Sequence, residues 1–396
     1  MSEAEAGALA GVRIVDVSQV ISGPVATRIL GDQGADVIKV EPPVGDLTRH
    51  LGGAGRGMSP IFATSNRNKR SVAIDLKQSA GVDLLKRLVA RADVFVQNFR
   101  PGAVERLGFG EPELREIQPD LIYVSISGFG ETGPYAHKRV YDPVIQALSG
   151  LTAIQGGTRG RPEMMRLIVP DKVTALTAAQ AITAALFART RTGRGQHLRL
   201  AMLDAVIAFM WPEGMAYHTF VGDDVAHVKA PARRDLVFET RDGYMIVGTV
   251  AHREWVGFCQ AAGVPEWLED ERFSSAAGLI ANAEPRLQRM GEVLETRTTA
   301  EWLEVLDAHQ VPCAPVLSRE ELVDHPQVVE NRIIVESEHP HAGRMRQARP
   351  AERLEGSPSG IFRPAPTLGQ HTDEVLAEIG LGESEIEELR RKETIS

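Results

Sequence analysis

Residues 12–41 read VRIVDVSQVISGPVATRILGDQGADVIKVE, and this stretch decides the fold. The β-branched run at 12–17 predicts a strand, which Ser22-Gly23-Pro24 interrupts. A helix is expected over 25–30, closed by glycines, and the run at 36–41 predicts a second strand. This order of strand, turn, helix and strand is typical of the start of a nucleotide-binding α/β fold.

The glycine fingerprint of dinucleotide-binding folds is missing from the turn. The sequence at 22–27 does not match G-x-G-x-x-G, and Pro24 lacks the backbone donor that a phosphate would need there. A nicotinamide oxidoreductase is therefore the weakest of the candidate functions. Glu41 is open to two interpretations, a ribose-binding acid or a surface residue at a strand end, and the second is preferred.

Strand-like and helical patterns alternate along the next part of the chain. Strands are expected at 72–76, 94–96 and 121–126, and a helix is expected at 78–91. Such alternation favours an α/β fold with a parallel sheet and helices on both faces. Ligands in these folds bind beyond the carboxyl ends of the strands, where the polar and glycine-rich clusters of this sequence fall.

A change of pattern marks a second region. Asp242-Gly243 lies between two short β-branched runs and predicts a hairpin, and helical patterns follow it. We expect a smaller α+β domain at 225–325, preceded by a large domain at 1–224. The chain returns to that large domain at 326–396.

Composition excludes several classes of protein. With 43% hydrophobic residues, 24% charged residues and a net charge of −9, the 396-residue chain has no global field that attracts nucleic acid. Its two cysteines are far apart, which fits a reducing cytoplasm better than a disulfide framework or a zinc site. The acidic N-terminus lacks a signal-peptide pattern, and no apolar run reaches the roughly 18 residues of a membrane span.

Cations collect near predicted loops in the first 140 residues. They are Arg67, Lys69, Arg70, Lys77, Arg100, Arg106, Lys138 and Arg139. Such a collection in an acidic protein is consistent with a small polyanionic ligand, such as a nucleotide-bearing cofactor. Solvated surface charge is the alternative, and composition alone favours it.

Asp171 stands before an alanine-rich helical stretch at 172–191 that ends in a glycine stop. A lone carboxylate at the start of a helix is either an N-cap or a reagent. Local sequence favours the cap, because aspartate is among the preferred N-cap residues.

Taken together, the motifs of this chain resemble those of the class III CoA-transferases, a family related to the α-methylacyl-CoA racemases. The resemblance rests on SGP at 22–24, GADVIKVE at 34–41, NKRS at 68–71, NFRPG at 98–102, SGFG at 127–130, Asp171, RTGRGQ at 191–196 and PTLGQHT at 366–372. It implies a Rossmann-like large domain built from both chain ends, a small middle domain, and a homodimer of interlocked subunits.

The resemblance implies an acyl-CoA:carboxylate CoA-transferase with Asp171 as the nucleophile. Its substrates would be an acyl-CoA donor and a small carboxylic acid acceptor, with no metal. Asp171 would form a mixed anhydride and then an aspartyl-CoA thioester, which is covalent catalysis by a carboxylate. The N-terminus of the helix is expected to help keep Asp171 ionised.

The resemblance also implies a set of CoA-binding residues. They are Ile21, Ser22, Ile74, Asp75, Leu76, Lys77, Asn98, Phe99, Arg100, Arg106, Arg139, Val140 and Tyr141. Two positions depart from the family pattern. Pro42 replaces an arginine that often follows the acid of the second strand, and the segment 249–252 replaces a glycine-rich loop, so the acyl or acceptor specificity is expected to differ.

Tyr141 separates the two related activities. The racemases have a histidine at this position, which works with the aspartate as an acid/base pair. A tyrosine ordinarily has a pKa of about 10 and is a poor base at neutral pH. The sequence therefore favours the transferase, with a 2-methylacyl-CoA racemase and a non-catalytic CoA-binding protein as alternatives.

Overall fold

The computed structural model describes residues 7–52, 58–156, 161–222, 235–249 and 251–396. The chain divides into two compact units, Met1–Pro231 with Arg332–Ser396 and Ala232–Asn331. The expected domain boundary at 224/225 lies outside the described residues. The second unit ends at Asn331, beyond the expected boundary at residue 325.

A six-stranded sheet forms the centre of the larger unit. Its strands are β1 (Arg13–Asp16), β2 (Asp36–Glu41), β3 (Lys69–Ala73), β4 (Val94–Gln97), β5 (Ile122–Ser127) and β6 (His197–Ala201). All neighbouring strands are parallel, and their order is β3-β2-β1-β4-β5-β6. This order is the one described for doubly wound dinucleotide-binding sheets. The prediction of an α/β fold with a parallel sheet is confirmed.

Helices connect the strands of this sheet and follow it. They are α1 (Ser22–Asp32), α2 (Pro60–Ser65), α3 (Ser79–Val89), α4 (Ala103–Leu107), α5 (Glu111–Ile117), α6 (Asp142–Leu148), α7 (Leu151–Gln155), α8 (Val169–Thr192) and α9 (Met202–Gly214). The smaller unit contains β7 (Val237–Glu239), β8 (Tyr244–Val247), α10 (His252–Ala262), α11 (Ala276–Ala281), α12 (Ala283–Leu294), α13 (Thr299–Ala308), β9 (Cys313–Pro315), α14 (Arg319–Asp324) and α15 (Pro326–Glu330). The chain then adds β10 (Ile334–His339), β11 (Gly343–Ala348), α16 (Thr372–Glu378) and α17 (Glu383–Arg391) to the larger unit.

Both faces of the parallel sheet are covered by helices. Successive strand residues point to opposite faces, so Val15 joins one hydrophobic cluster and Ile14 joins the other. The first cluster includes residues of α3, α5, α16 and α17, and the second includes residues of α1 and α8. Since both faces are packed, the carboxyl edge of the sheet is where a ligand can approach.

Helix α1 begins at Ser22, three residues before the expected start at Val25. Pro24 is the third residue of the helix rather than a break before it. The first N–H groups of a helix have no intrahelical acceptor, so a proline in the first turn removes no helical hydrogen bond. The sequence analysis assigned Ser22-Gly23-Pro24 to the break after the first strand, whereas these residues form the first turn of the helix.

Strand β3 also begins earlier than expected, at Lys69 instead of residue 72, and its first two residues are buried cations. Lys69 is fully buried and donates to Asp16 Oδ2 at 3.0 Å. Arg70 forms a bidentate pair with Asp36 at 3.0 and 2.7 Å. The hypothesis of a polyanion site is therefore wrong for these two residues, because carboxylates of β1 and β2 already neutralise them.

Glu41 is neither a surface residue nor an acid available to a ribose. Its side chain is 1% exposed, and Arg49 donates to both of its carboxylate oxygens at 2.7 Å. Ser71 donates to the same carboxylate at 2.7 Å. The sequence analysis interpreted Glu41 as a ribose-binding acid or as a surface residue, and both interpretations were wrong. The partners Arg49 and Ser71 could not be recognised beforehand, because they do not form a known motif with Glu41.

Substitution of Lys69 by methionine is expected to destabilise the fold by about 3–5 kcal/mol, the usual effect of leaving one partner of a buried pair uncompensated. In the wild-type chain, burial raises the pKa of Asp16, but the charges of Lys69 and Lys39 and the bonds from Ser18 and Thr27 outweigh burial and lower it to about 2. Urea denaturation at pH 7 measures the effect. A loss below about 1 kcal/mol would contradict a structural role for this pair.

The smaller unit is an α+β module. The hairpin expected at Asp242-Gly243 is confirmed, since β7 and β8 are antiparallel with Val237 opposite Ile246. Strand β9 extends this sheet on the other side of β8. The core contains Trp255, Phe258 and Trp302, all fully buried. None of the helices within the described residues is long and apolar enough to cross a lipid bilayer.

Candidate active site

Asp171 is the third residue of α8 and is not the N-cap that its local sequence favours. The N-cap position is held by Ile168, whose side chain forms no capping bond. Pro170 precedes Asp171 in the first turn, where the lack of an N–H removes no helical hydrogen bond. The carboxylate of Asp171 is therefore available for interactions other than capping its own helix.

Two other helix starts meet Asp171. Ser22, the first residue of α1, lies close enough to Asp171 that hydrogen bonding from its hydroxyl and its backbone N–H lowers the pKa of that carboxyl group. Asp142, the first residue of α6, accepts the backbone N–H of Asp171 at 3.1 Å through Oδ2. Asp142 is 3% exposed, and its Oδ1 accepts a bond from Gln146 at 2.6 Å. Asp142 thus caps α8 from a neighbouring helix.

The Asp171 carboxyl group is harder to ionise than an exposed aspartate. Burial, and next the charge of Asp142, raise its pKa from 3.8 to about 6, while the two bonds from Ser22 act in the opposite direction. The expectation that the helix N-terminus keeps this group fully ionised underestimated both effects. Neither effect can be read from sequence, because burial and the approach of Asp142 both come from tertiary packing.

A cavity of about 410 Å³ opens beside Asp171 at the carboxyl edge of the sheet. Its volume is within the range of small-molecule sites, roughly 300–1,000 Å³. The lining consists of Gln19, Val20, Ser22, Asn98, Phe99, Arg100, Pro101, Ile126, Ser127, Gly128, Phe129, Ala136, Lys138, Arg139, Val140, Tyr141, Asp142, Asp171 and Met202. A smaller hollow of about 250 Å³ shares Phe99, Arg100 and Ser127 with it.

The cavity unites most of the residues that the resemblance implies, but not all. Asp171, Ser22, Asn98, Phe99, Arg100, Arg139, Val140 and Tyr141 line it. Ile21, Ile74, Asp75, Leu76, Lys77 and Arg106 do not contribute to this lining. Ile74 is fully buried and pairs with Ile395 in an isolated β-bridge. The segment 249–252 belongs to the smaller unit, and its residue 250 lies outside the described residues.

Three of the cations in the first 140 residues line the cavity. Arg100, Lys138 and Arg139 line the cavity and form no ion pair with any residue that the structure describes. The ammonium of Lys138 lies 3.7 Å from the centre of the Tyr135 ring. By contrast, Arg67 is buried against Asp32 at 2.8 Å. The anion-binding capacity suggested by the sequence thus remains with these three residues.

Sequence reasoning missed several residues of the site. Asp142 offered a usable signal, since an aspartate directly before a proline is a common start of a helix and can hold a neighbouring N–H. Gln19, Val20 and Met202 gave none, because an amide or an apolar residue after a strand has no distinctive pattern. Within the described residues, no cluster of histidine, cysteine, aspartate and glutamate is arranged to hold a metal ion.

Gly128 allows the wall of the cavity to pack closely. A Cβ atom at this position would lie 2.5 Å from Val140 Cγ1 and 2.8 Å from Val140 Cβ. Gly128→Ala is therefore expected to push the 136–141 segment away and to raise the KM for the ligand of this cavity by roughly 10-fold, as overpacking of about 1–3 kcal/mol implies. Steady-state kinetics measure this effect.

Gly356→Ala serves as the matched control, because an added Cβ meets no atom within 4 Å there. We expect that control to keep the wild-type KM. Equal KM values for the two variants would contradict a role of Gly128 in shaping the cavity.

Comparison with known proteins gives a consistent result. The family model for CoA-transferase family III matches residues 9–372. The chain is 35% identical over 377 residues to succinyl-CoA:glutarate CoA-transferase from Homo sapiens, covering 94% of this chain and 86% of that protein. It is 34% identical over 415 residues to formyl-CoA:oxalate CoA-transferase from Streptomyces coelicolor, covering 97% and 98%.

Solved structures agree with this similarity. A CAIB/BAIF family protein from Brucella suis superposes with a TM-score of 0.83 at 29% identity, covering 95% of this chain and 100% of that one. The match to the family model extends over nearly the whole chain and includes Asp171 and the lining of its cavity. The chain therefore belongs to CoA-transferase family III and is an enzyme of that family, whose members use CoA thioesters as substrates.

Proposed function

We propose that this enzyme transfers CoA between carboxylic acids through covalent intermediates on Asp171. The observation that supports this proposal most directly is the position of the Asp171 carboxylate. It lines a cavity of about 410 Å³ beside three cations that have no carboxylate partner among the described residues. A pKa of about 6 leaves the carboxylate mostly ionised at neutral pH and more basic than an ordinary aspartate.

In the first half of the reaction, a carboxylate oxygen of Asp171 attacks the thioester carbon of the donor acyl-CoA. The C–S bond breaks, the electron pair leaves with the CoA sulfur, and an aspartyl–acyl mixed anhydride forms. The CoA thiolate then attacks the carbonyl carbon of Asp171. This step releases the donor acid as its carboxylate and leaves an aspartyl-CoA thioester.

The second half repeats these steps with the acceptor acid. Its carboxylate attacks the aspartyl thioester and expels the CoA thiolate, so that a new mixed anhydride forms. The thiolate attacks the acyl carbon of the acceptor, and the Asp171 carboxylate is regenerated. No proton is consumed in the cycle, and the energy of the thioester bond is retained instead of being lost to hydrolysis.

The cations of the cavity suit the charge of CoA. Arg100, Lys138 and Arg139 can pair with phosphate oxygens, and arginine can do so with two parallel hydrogen bonds. The two N–H and O–H donors of Ser22 face the carboxylate at which negative charge shifts during the reaction. Apolar residues such as Phe99 and Val140 border the same space and can contact the uncharged part of the substrate.

Mass spectrometry of trapped intermediates tests the proposal. The enzyme is incubated with succinyl-CoA, glutaryl-CoA, formyl-CoA and longer acyl-CoA thioesters, and hydroxylamine is then added. We expect a hydroxamate on the peptide that contains Asp171 with at least one of these donors. If every thioester leaves that peptide unmodified while a matching acceptor acid is still converted to its CoA thioester, the covalent mechanism is wrong.

A 2-methylacyl-CoA racemase would give a different result. Such an enzyme exchanges the α-hydrogen of its substrate in heavy water without any acceptor acid. In the racemases that this family is related to, the second acid/base group is a histidine, and none of the residues lining the described cavity is a histidine. We expect no α-hydrogen exchange above the rate of the uncatalysed reaction.

We propose a small dicarboxylic acid as one of the two acids. The relatives are named for succinyl-CoA and glutarate and for formyl-CoA and oxalate, so each of those names includes at least one dicarboxylate. A cation of the cavity, such as Arg100 or Arg139, can hold the distal carboxylate of such an acid while its other end reacts. Competition between succinate, glutarate, oxalate and acetate as acceptors, compared by kcat/KM, tests this specificity.

We further propose that two copies of the chain form a homodimer through the outer surfaces of α8 and α9. Leu176 and Phe187 on α8 are 61% and 62% exposed, and Phe209 on α9 is 62% exposed. Phe220 and Val221, after α9, are 75% and 87% exposed. Large contiguous apolar surfaces usually mark sites of association, and the resemblance to class III CoA-transferases supports a second copy as the partner.

Light scattering after size exclusion tests this association. We expect the mass of two chains for the wild type and a shift toward one chain for Phe187→Glu. Val329→Glu is the control, because Val329 is 57% exposed but lies in the smaller unit. A wild-type mass of 43.1 kDa would contradict the homodimer.

A further inference from the structure

The loop between β1 and α1 is held by side chains from other strands. The backbone N–H of Ser18 donates to Asp16 Oδ1 at 2.9 Å, and its carbonyl oxygen accepts a bond from Lys39 Nζ at 3.0 Å. The N–H of Gln19 donates to Asn98 Oδ1 at 2.8 Å, and its carbonyl oxygen accepts from Asn98 Nδ2 at 2.7 Å. The backbone of both residues is therefore fixed by side chains from the end of β1, from within β2 and from the residue that follows β4.

The next residue of the loop, Val20, has a conformation that valine rarely adopts. Its φ is 70°, which lies in the left-handed region and is unfavourable for a β-branched residue. Its backbone N–H faces the carboxylate of Asp46 at 3.3 and 3.4 Å. Strained backbone of this kind persists where the surroundings impose it, and it concentrates at functional sites.

Asp46 and Lys39 form an ion pair of 3.0 Å in which both side chains are 0% exposed. Lys39 is on β2, and Asp46 caps the short helical turn Leu47–His50 through the N–H of Thr48. Buried ion pairs contribute little to stability compared with well-packed apolar residues. This pair instead joins Ser18 and Val20, since Lys39 binds the carbonyl of Ser18 and Asp46 faces the N–H of Val20.

The same loop forms one wall of the active-site cavity. Gln19, Val20 and Ser22 line it together with Asp171, and hydrogen bonding from Ser22 lowers the pKa of the Asp171 carboxyl group. Val20 and Ser22 are separated by one residue, so a change in the backbone of Val20 moves Ser22 relative to Asp171. Displacements of about 1 Å in a reacting group can reduce a rate by roughly 100-fold.

We propose that Lys39 and Asp46 are a positioning pair for CoA transfer, which holds the strained Ser18–Val20 backbone so that Ser22 faces Asp171. Neither residue lines the cavity, so the pair acts through the loop and not through contact with substrate. This inference rests on the proposed role of Asp171. It goes further by giving a function to a buried charged pair that lies behind the residues lining the cavity.

Asp46→Asn tests the proposal, with Asp32→Asn as the matched control. Asp32 is also buried, at 1% exposure, and it is paired with Arg67 at the opposite end of α1. Both variants are expected to lower the thermal midpoint. Only Asp46→Asn is expected to slow formation of the Asp171 adduct, by roughly 10–100-fold at a temperature where both variants are folded. Equal rates in the two folded variants would overturn the proposal.

A double-mutant cycle with Val20→Gly separates positioning from stability. Glycine adopts a φ of 70° without strain, so it has less need of the Lys39–Asp46 pair. We expect the effect of Asp46→Asn on kcat to be at least several-fold smaller in the Val20→Gly background than in the wild-type background. Additive effects would contradict the proposed link between the pair and the strained residue.

Hydrogen exchange gives a readout that does not depend on the covalent mechanism. Asp46→Asn is expected to increase the exchange rate of the peptide covering residues 17–25, whereas Asp32→Asn leaves that rate unchanged. If the wild-type enzyme forms no Asp171 adduct, the proposed function fails, and this comparison still decides whether the pair holds the loop. Unchanged exchange in Asp46→Asn would refute the positioning role.

Discussion

Asp171→Asn is expected to reduce CoA transfer by on the order of 10³-fold or more, because an amide cannot attack a thioester as a carboxylate does. The substitution preserves the size and shape of the side chain and leaves the cations of the cavity in place. The dissociation constant for CoA is therefore expected to change by less than about threefold. The substitution removes a single negative charge, that of Asp171, and solvent ions screen its effect on the bound CoA anion. Initial rates and isothermal titration with CoA measure the two quantities.

The same variant is expected to be more stable than the wild type at pH 8. The folded-state pKa of Asp171, about 6, lies above its ordinary value of 3.8, so ionisation is less favourable in the folded chain. The ionised Asp171 carboxylate therefore lowers the free energy of unfolding of the wild type. This loss of stability is fully present above pH 6 and disappears below about pH 4. Since the carboxyl group is partly exposed, we expect a gain of only about 1–3 kcal/mol at pH 8 and none at pH 4.

Asp83→Asn is the control for both effects. Asp83 is exposed on α3, and α3 packs on the face of the sheet opposite to α8. We expect wild-type turnover and little change in stability for this variant. Residual turnover above about 10% in Asp171→Asn would show that another group is the nucleophile.

The pH dependence of kcat/KM is the second large effect. The reacting form of Asp171 is the carboxylate, so activity is expected to fall below about pH 6, approaching a tenfold loss for each further pH unit. Rates measured between pH 4.5 and 8 in buffers of constant ionic strength test this. A flat profile down to pH 5 would contradict either the raised pKa or the role of the carboxylate.

Asp142→Asn is expected to shift this acidic limb to lower pH. Removal of the Asp142 charge lowers the pKa of Asp171, because a like charge nearby favours the protonated form. Lys172 and the cavity cations Arg100, Lys138 and Arg139 also face this region and are unchanged in the variant. Since two adjacent carboxylates titrate together, the limb reports the pair and not Asp171 alone. Circular dichroism at each pH confirms that the variant remains folded.

Several features of the site were accessible from sequence and others were not. Asn98, Phe99 and Arg100 follow a β-strand, and the rule that ligands bind at the carboxyl edge of a parallel sheet was sufficient to indicate their region. The role of Arg67, Lys69 and Arg70 could not be predicted in the same way. A run of cations gives no information on whether its partners are phosphates outside the protein or aspartates of the same chain that the fold brings beside them.

The sequence by itself determined the alternation of strands and helices, the hairpin at Asp242-Gly243 and the family to which the chain belongs. These features depend on local periodicity, on turn residues and on motifs of fixed spacing. Only the tertiary structure decided that Ser22, Asp142 and Asp171 meet, because three helix starts distant in sequence converge at one edge of the sheet. Asp171 is therefore an aspartate whose position in the chain is recognisable from its motif, but whose acidity is set by burial and by a second carboxylate brought beside it by the fold.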